Sequence, residues 1–265
     1  MPDLSHEIII ITGAAGSLGS EYSSMLLDEG AIVVGIDVKS SDLTKKFESQ
    51  FPTQFKLYES NILNKNELNS ILTDVVKHFG NPTVLINNAA IDSPPQSDAS
   101  DNGPFENFSE ESWDKVMSVN LKGSFLCSQI FGSAMAAKKK GSIINISSIY
   151  GLVSPDQSIY KYRHDRGEDF YKPIAYSVSK SGILNLTRYL AVYWAKENVR
   201  VNTLTIAGVF NHQDKEFLKA YNERIPIGRM AEVTEYNGAI KFLCSDDSSY
   251  MTGSNMVVDG GWTAI

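Results

Sequence analysis

The chain predicts an α/β protein: one doubly wound, seven-stranded parallel sheet with helices on both faces. Three observations carry that expectation. Short β-branched runs alternate with longer amphipathic stretches along the whole length. Several of those runs are almost unbroken in Val and Ile, as strands covered on both faces must be. The first run also passes through closely spaced glycines straight into a helical pattern.

Taken in order, EIIIIT (7–12), AIVVGID (31–37), FKLYES (55–60), TVLINNA (83–89), SIINISS (142–148), RVNTLTI (200–206) and NMVVD (255–259) read as strands. Helical periodicity covers 18–29, 65–79, 109–138, 175–197, 213–223 and 232–245. The lysines at 138–140 suit the negative end of a helix dipole, and Gly141 suits the turn that ends it. No repeat, low-complexity tract or linker divides the chain, so residues 1–265 read as a single domain. Two long segments, 91–108 and 151–173, have no periodicity. The first is rich in Pro, Ser, Asp and Gly. Loops of that length in a compact domain are usually either functional or disordered.

Composition narrows the partners. Hydrophobic residues at 42% and charged residues at 21% allow a full core. A formal net charge of −7 argues against nucleic acid and against an anionic membrane, leaving a small-molecule substrate as the expected partner. The N-terminus has no basic region followed by an apolar core, and no run reaches membrane-spanning length, so the protein is expected to be cytoplasmic. Cys127 and Cys244 are far apart and the four histidines are scattered, which favours reduced thiols and no metal site.

Gly13, Gly16 and Gly19 lie between the first strand and the first helix. Glycines there let the backbone approach a diphosphate while the new helix presents its free N–H groups to the charge. The next strand ends in Asp37, placed to accept the adenosine ribose hydroxyls and to repel a 2′-phosphate. NAD is therefore expected over NADP, although Lys39 is near.

AYSVSK, at 175–180, sets Tyr176 and Lys180 one helical turn apart. Those six residues alone fit a packed pair as well as a proton donor with its cation. The wider pattern weighs toward the second. Thr12, Gly13, Gly16 and Gly19, NNAA at 87–90, VNLKG at 119–123, NISSIYG at 145–151 and the Tyr-x-x-x-Lys pair follow one another in order. In these motifs the chain resembles the short-chain dehydrogenase/reductase family from about residue 7 to its end. The resemblance implies a Rossmann fold and hydride transfer between a nicotinamide and a CH–OH carbon. It implies Asn120, Ser148, Tyr176 and Lys180 as the catalytic set. Tyr176 would be the acid/base, its pKa lowered by the Lys180 ammonium. Ser148 would hold the substrate oxygen, and Asn120 would kink its helix and hold a water that leads to Lys180. Around the cofactor the resemblance implies Gly13, Gly16, Ser17, Leu18, Gly19, Asp37, Asn61, Ile62, Asn88, Ala89, Ala90 and Val209, with Tyr176 and Lys180. The chain departs from the family pattern in three places: Ser17 replaces a glycine, Asn61 an aspartate, and Ile206–Ala207 a Pro-Gly.

Both irregular segments flank the substrate side of such a site and are expected to form its walls or a lid, with a solvated loop or a subunit contact as the alternative. Tyr160, Lys161, Tyr162, Arg163, His164 and Arg166 suggest stacking on a sugar and pairing with phosphate or carboxylate. The expected substrate is thus a secondary alcohol or ketone on a sugar or sugar derivative. A looser likeness links the segments to family members from bacterial surface-glycan pathways, including nonulosonate ones. Alternatives are a ketoacyl, polyol or simple alcohol dehydrogenase, or a non-catalytic NAD(H)-binding regulatory protein. The resemblance also implies a homotetramer or homodimer packed through 109–138, 175–197 and the C-terminal segment.

Overall fold

The computed structural model describes residues 3–92 and 102–265. All seven expected strands form: β1 (Ile8–Thr12), β2 (Ile32–Asp37), β3 (Phe55–Glu59), β4 (Val84–Asn87), β5 (Gly141–Ser148), β6 (Val199–Ile206) and β7 (Asn255–Val258). They pair in parallel in the order β3-β2-β1-β4-β5-β6-β7. The order reverses between β1 and β4, so the strand ends on either side part there and leave a crevice.

Alternation along each strand feeds two cores. Ile9 and Ile11 of β1 face α1 (Ser17–Asp28), while Ile10 between them faces α3 (Lys65–His78). The first core also takes Phe47 of α2 (Asp42–Gln50) and Ile240 and Leu243 of α7 (Asn237–Cys244). The second is closed by Phe131 and Met135 of α4 (110–138) and by Leu190 and Trp194 of α5 (Ile174–Trp194). A third, smaller cluster lies over the strand ends. It joins Tyr150, Tyr160 and Phe170 to Phe217 and Tyr221 of α6 (Lys215–Arg224) and to Trp262.

The run at 110–138, here α4, is helical throughout but not uniform. Regular turns alternate with wider π-type turns at Ser118–Gly123 and Ser128–Gly132. It ends after Lys138, and Lys139, not Gly141, takes the left-handed terminating conformation (φ 54°). Gly141 already belongs to β5, where Met135 would stand 2.7 Å from any side chain added to it. The glycine is thus kept by packing, and the turn expectation is corrected.

α2 was absent from the helical pattern. It is polar, burying only Thr44 and Phe47, so it carries no apolar stripe. A capping box between Ser41 and Thr44 starts it instead. Segment 151–173 also contains a short helix, Lys161–Asp165. Among the described residues no helix is long and apolar enough to cross a membrane.

Candidate active site

Two cavities open along the carboxyl ends of the strands and share Leu18, Val209 and Gln213 as walls. The first, about 540 Å³, runs across the turn after β1. Gly13 shapes that turn: its φ is +67°, and an added Cβ would lie 2.8 Å from the Ala89 Cα. At Gly19 a Cβ would lie 2.1 Å from the Gly13 carbonyl, so helix and turn touch there. Gly16 has ordinary room, the nearest atom standing 3.4 Å away. Gly16, one place before the Ser17 that replaces the family's glycine, is therefore not the sterically demanding one. Thr12 and Asn88 stitch the crevice. Thr12 Oγ1 accepts from the Asn88 and Ala89 amides, and Asn88 Nδ2 donates to the Thr12 and Gly13 carbonyls.

Twelve of the residues expected around a cofactor line this cavity: Gly13, Gly16, Ser17, Leu18, Gly19, Asp37, Asn61, Ile62, Asn88, Ala89, Ala90 and Val209. Tyr176 and Lys180 do not. The donor set fits a dinucleotide. Gly16 gives α1 no side-chain cap, so the first N–H groups of a twelve-residue helix face the cleft. Asp37 stands at the far end, one carboxylate oxygen accepting from the Ala15 amide at 2.9 Å. Lys39 is exposed and forms no part of the wall. Ile206–Ala207 leaves the opposite wall well fixed: Gly208 donates to the Tyr221 hydroxyl at 2.8 Å, and Val209 bridges to Ala231.

The second cavity, about 290 Å³, holds Ser148 and Tyr176. Ser148 ends β5 and Tyr176 begins α5, so sheet and helix bring both side chains to one cavity. Lys180, one turn along, is buried beneath and lines neither cavity. Its Nζ donates to the Ile146 carbonyl at 2.9 Å and sits 5.8 Å from the Tyr176 ring centre.

The electrostatics correct one expectation. Burial raises the Tyr176 pKa well above the ordinary phenol range, the Asp92 carboxylate adds to this, and Ser148 opposes it. Burial also pulls Lys180 down to about 8, with Asp92 acting the other way. Lys180 thus does not lower the phenol here. Both groups lie out of water, and loss of hydration is the largest influence on each.

Asn120 occupies the first π-type turn, and its amide is fully engaged. Oδ1 accepts from the Ile91 amide at 2.8 Å, while Nδ2 donates to the Ile91 carbonyl and to Ser179 Oγ, both at 3.0 Å. It clamps the chain after β4 to α5.

The cation-rich loop is also corrected. Arg163 pairs with Glu168 and stacks 4.5 Å over Phe170. Arg166 pairs with Asp214 and Glu216 and covers Tyr162. Neither lines the substrate cavity; of that group only Tyr160 does. The aromatics and cations satisfy one another and hold the loop together. For segment 91–108, the expectation of a wall or lid falls partly on 93–101, outside the described residues. Asn102 does accept a backbone hydrogen bond from Tyr171 at 2.6 Å, joining the two segments.

Sequence reasoning missed Asp92, Lys172, Gln213 and Tyr221, which all line the second cavity. Lys172 carried a signal. Lys172, Tyr176 and Lys180 are spaced four apart, so a second lysine flanks the tyrosine at the same interval. Its Nζ lies 4.8 Å from the Tyr176 ring centre, nearer than that of Lys180.

A cleft of this shape, opening onto a buried phenol at the strand ends, is the working arrangement of dinucleotide-dependent α/β oxidoreductases. Comparison with known proteins narrows that class. A family model described as Enoyl-(Acyl carrier protein) reductase matches residues 13–263. The chain is 28% identical to the NAD-dependent glycerol dehydrogenase of Listeria innocua serovar 6a, over 98% of this chain and 95% of that protein. It is 31% identical to the ribulose-forming D-arabinitol 2-dehydrogenase of Candida tropicalis, over 98% and 93% respectively. A solved short chain dehydrogenase from Leptospira borgpetersenii serovar Hardjo-bovis with bound NAD+ superposes with a TM-score of 0.85. It shares 32% identity, covering 97% of this chain and 92% of that one. The chain belongs to the short-chain dehydrogenase/reductase family.

Proposed function

We propose that this enzyme uses NAD(H) to interconvert a secondary alcohol and a ketone on a sugar or sugar derivative, most simply a polyol. The observation that carries the reading is the junction of the two cavities. An acid-ended dinucleotide cleft meets a small chamber whose walls include Ser148, Tyr176, Tyr160, Asp92, Lys172 and Gln213. The names of the two dehydrogenases above, and the NAD+ in the Leptospira structure, support polyol and cofactor alike.

NAD(H) supplies the hydride chemistry when bound. Asp37 and the turn at Gly13–Gly19 would hold its adenosine and diphosphate. Ser148 would fix the substrate oxygen, and Tyr176 would move the proton. A phenol kept protonated by burial is set to donate to a ketone. The reverse reaction needs the phenolate, so alcohol oxidation should gain with rising pH and ketone reduction should not. Asn120 would keep the chain after β4 in register with α5. The cytoplasm is the compartment that fits the reduced cysteines and NAD use.

Association as a homotetramer or homodimer is part of the proposal. Tyr189, Val192 and Tyr193 stand exposed on α5 and Phe125 on α4, an apolar surface that suits a second copy.

A ketoacyl substrate is the second reading. It draws on the matching family description and on a separate groove of about 540 Å³ lined by Phe105, Phe108, Leu152, Val153, Ile174 and Val178. Asp37 speaks against the NADP such reductases normally use. The non-catalytic alternative has no support in this site, and the likeness to glycan-pathway members adds nothing to it.

Absorbance of the reduced cofactor decides between the readings. NADH formation from glycerol or D-arabinitol, with little from NADP+, is expected. NADPH-driven reduction of acetoacetyl thioesters with inert polyols would replace the first reading by the second.

A further inference from the structure

We infer that Lys172 and Asp92 form a specificity pair that reads the hydroxyl next to the reacting carbinol, selecting neutral vicinal diols over simple alcohols and over carboxylate-bearing substrates. The inference rests on the polyol reading and names the side chains that would enforce it.

The pair is built, not incidental. Lys172 immediately precedes α5 across Pro173, and the Gln157 side chain holds its backbone from both sides, accepting from its amide at 2.9 Å and donating to its carbonyl at 3.2 Å. Its side chain is only 7% exposed, and lysine is seldom buried without a partner. Nζ lies 2.6 Å from each oxygen of Asp92. It also stands 4.8 Å from the Tyr176 ring centre and 5.8 Å from that of Tyr150. Asp92 follows Ile91, whose amide and carbonyl are both clamped by Asn120. Two remote segments, 80 residues apart, are thus braced so that an ammonium and a carboxylate meet beside the phenol. Lys172 is the buried member of the pair, and Asp92 stands 40% exposed at the wall of the cavity.

Among the described residues lining this cavity, Lys172 is the sole cation and Asp92 the sole carboxylate. An ammonium has three donors, and Asp92 engages two of them. A hydroxyl can take the third N–H and return its own proton to a carboxylate lone pair, so it completes the pair as donor and acceptor at once. A carboxylate cannot: it has no proton to give, and it would have to displace Asp92 or lie against its charge. A simple alcohol leaves the pair without its ligand, and sites built to bond a hydroxyl discriminate strongly against analogues that lack it.

The test uses the full chain with saturating NAD+ and three probes: D-arabinitol, cyclohexanol and D-gluconate. Lys172→Met keeps length and removes charge; Asp92→Asn keeps a polar partner. NAD+ affinity, read by fluorescence, confirms that each variant holds its fold. The expected result is a fall in the arabinitol-to-cyclohexanol ratio of kcat/KM of about 10- to 100-fold in both variants, carried mainly by KM. Equal losses on both alcohols would overturn the inference and make the pair a brace. Wild-type preference for D-gluconate, lost in Lys172→Met, would overturn it in favour of a carboxylate clamp. Should the wild type oxidise none of the probes, the polyol reading fails on its own. Calorimetric titration of D-arabinitol into the NAD+-loaded protein then decides: binding lost in Lys172→Met supports the pair, and unchanged or absent binding refutes it.

Discussion

At Asp37 a single carboxylate serves both turn and cofactor. It accepts the Ala15 amide and closes the end of the cleft. Asp37→Ser should raise the NADP+ to NAD+ ratio of kcat/KM by about tenfold or more, because one buried-edge charge that repels a phosphate is removed; steady-state kinetics with both cofactors checks this. Lys180 gives a second prediction. Burial penalises the ammonium and pulls its native pKa to about 8, below the ordinary lysine value of 10.5. Between those values the unfolded chain holds the proton and the native one releases it, so stability should rise with pH through that window. Below pH 8 both states are protonated and the burial penalty is fully felt. Chemical denaturation at pH 7.5 and 9.5 should show the rise in the wild type and its loss in Lys180→Met. The Tyr-x-x-x-Lys spacing was legible because it is local. The Lys172–Asp92 pair was not, because nothing in the sequence announces which residue 80 positions away will meet a lysine.

Among the elements, strands and long helices were legible wherever one face had to be apolar. α2 escaped because its start is fixed by Ser41 and Thr44 rather than by a stripe. The docking of α4 and α5 on the sheet depends on buried polar side chains that no periodicity reveals. Asn87 donates to Ser128 Oγ and to Asn145 Oδ1, Asn145 donates to Thr187, and Thr203 donates to Thr187. Asn145→Ala should therefore cost about 1–3 kcal/mol for each partner it orphans, more than its small size suggests; urea denaturation measures it. Phe131, wholly buried on α4, tests the apolar side of the same contact. Phe131→Ala should lose about 3–5 kcal/mol. In the turn after β1, Gly19→Ala should damage cofactor binding more than Gly16→Ala, since only the former drives a methyl into the Gly13 carbonyl.

Over the molecule as a whole, parallel order and two-sided burial followed from β-branched runs and amphipathic stretches, while the shape of the substrate chamber did not. Segment 151–173 looked like a charged, ligand-seeking loop. It is instead a small aromatic core of its own: Tyr160 packs on Phe170 and Phe217, and Arg163 and Arg166 are consumed by neighbouring carboxylates. Its contribution to the chamber comes from Tyr160 and Lys172, which composition alone could not single out. The exposed Tyr189–Tyr193 stack beside Val192 belongs to this scale too. Light scattering should report a dimer or tetramer, and Val192→Lys with Tyr193→Lys should reduce its size. The most direct measurement for the whole account is turnover by Tyr176→Phe alongside its NAD+ affinity. Loss of NADH formation by at least about a thousandfold with unchanged cofactor binding is expected, since Tyr176 is the proposed carrier of the proton beside Ser148. Activity equal to the wild type would place the chemistry elsewhere and contradict the account.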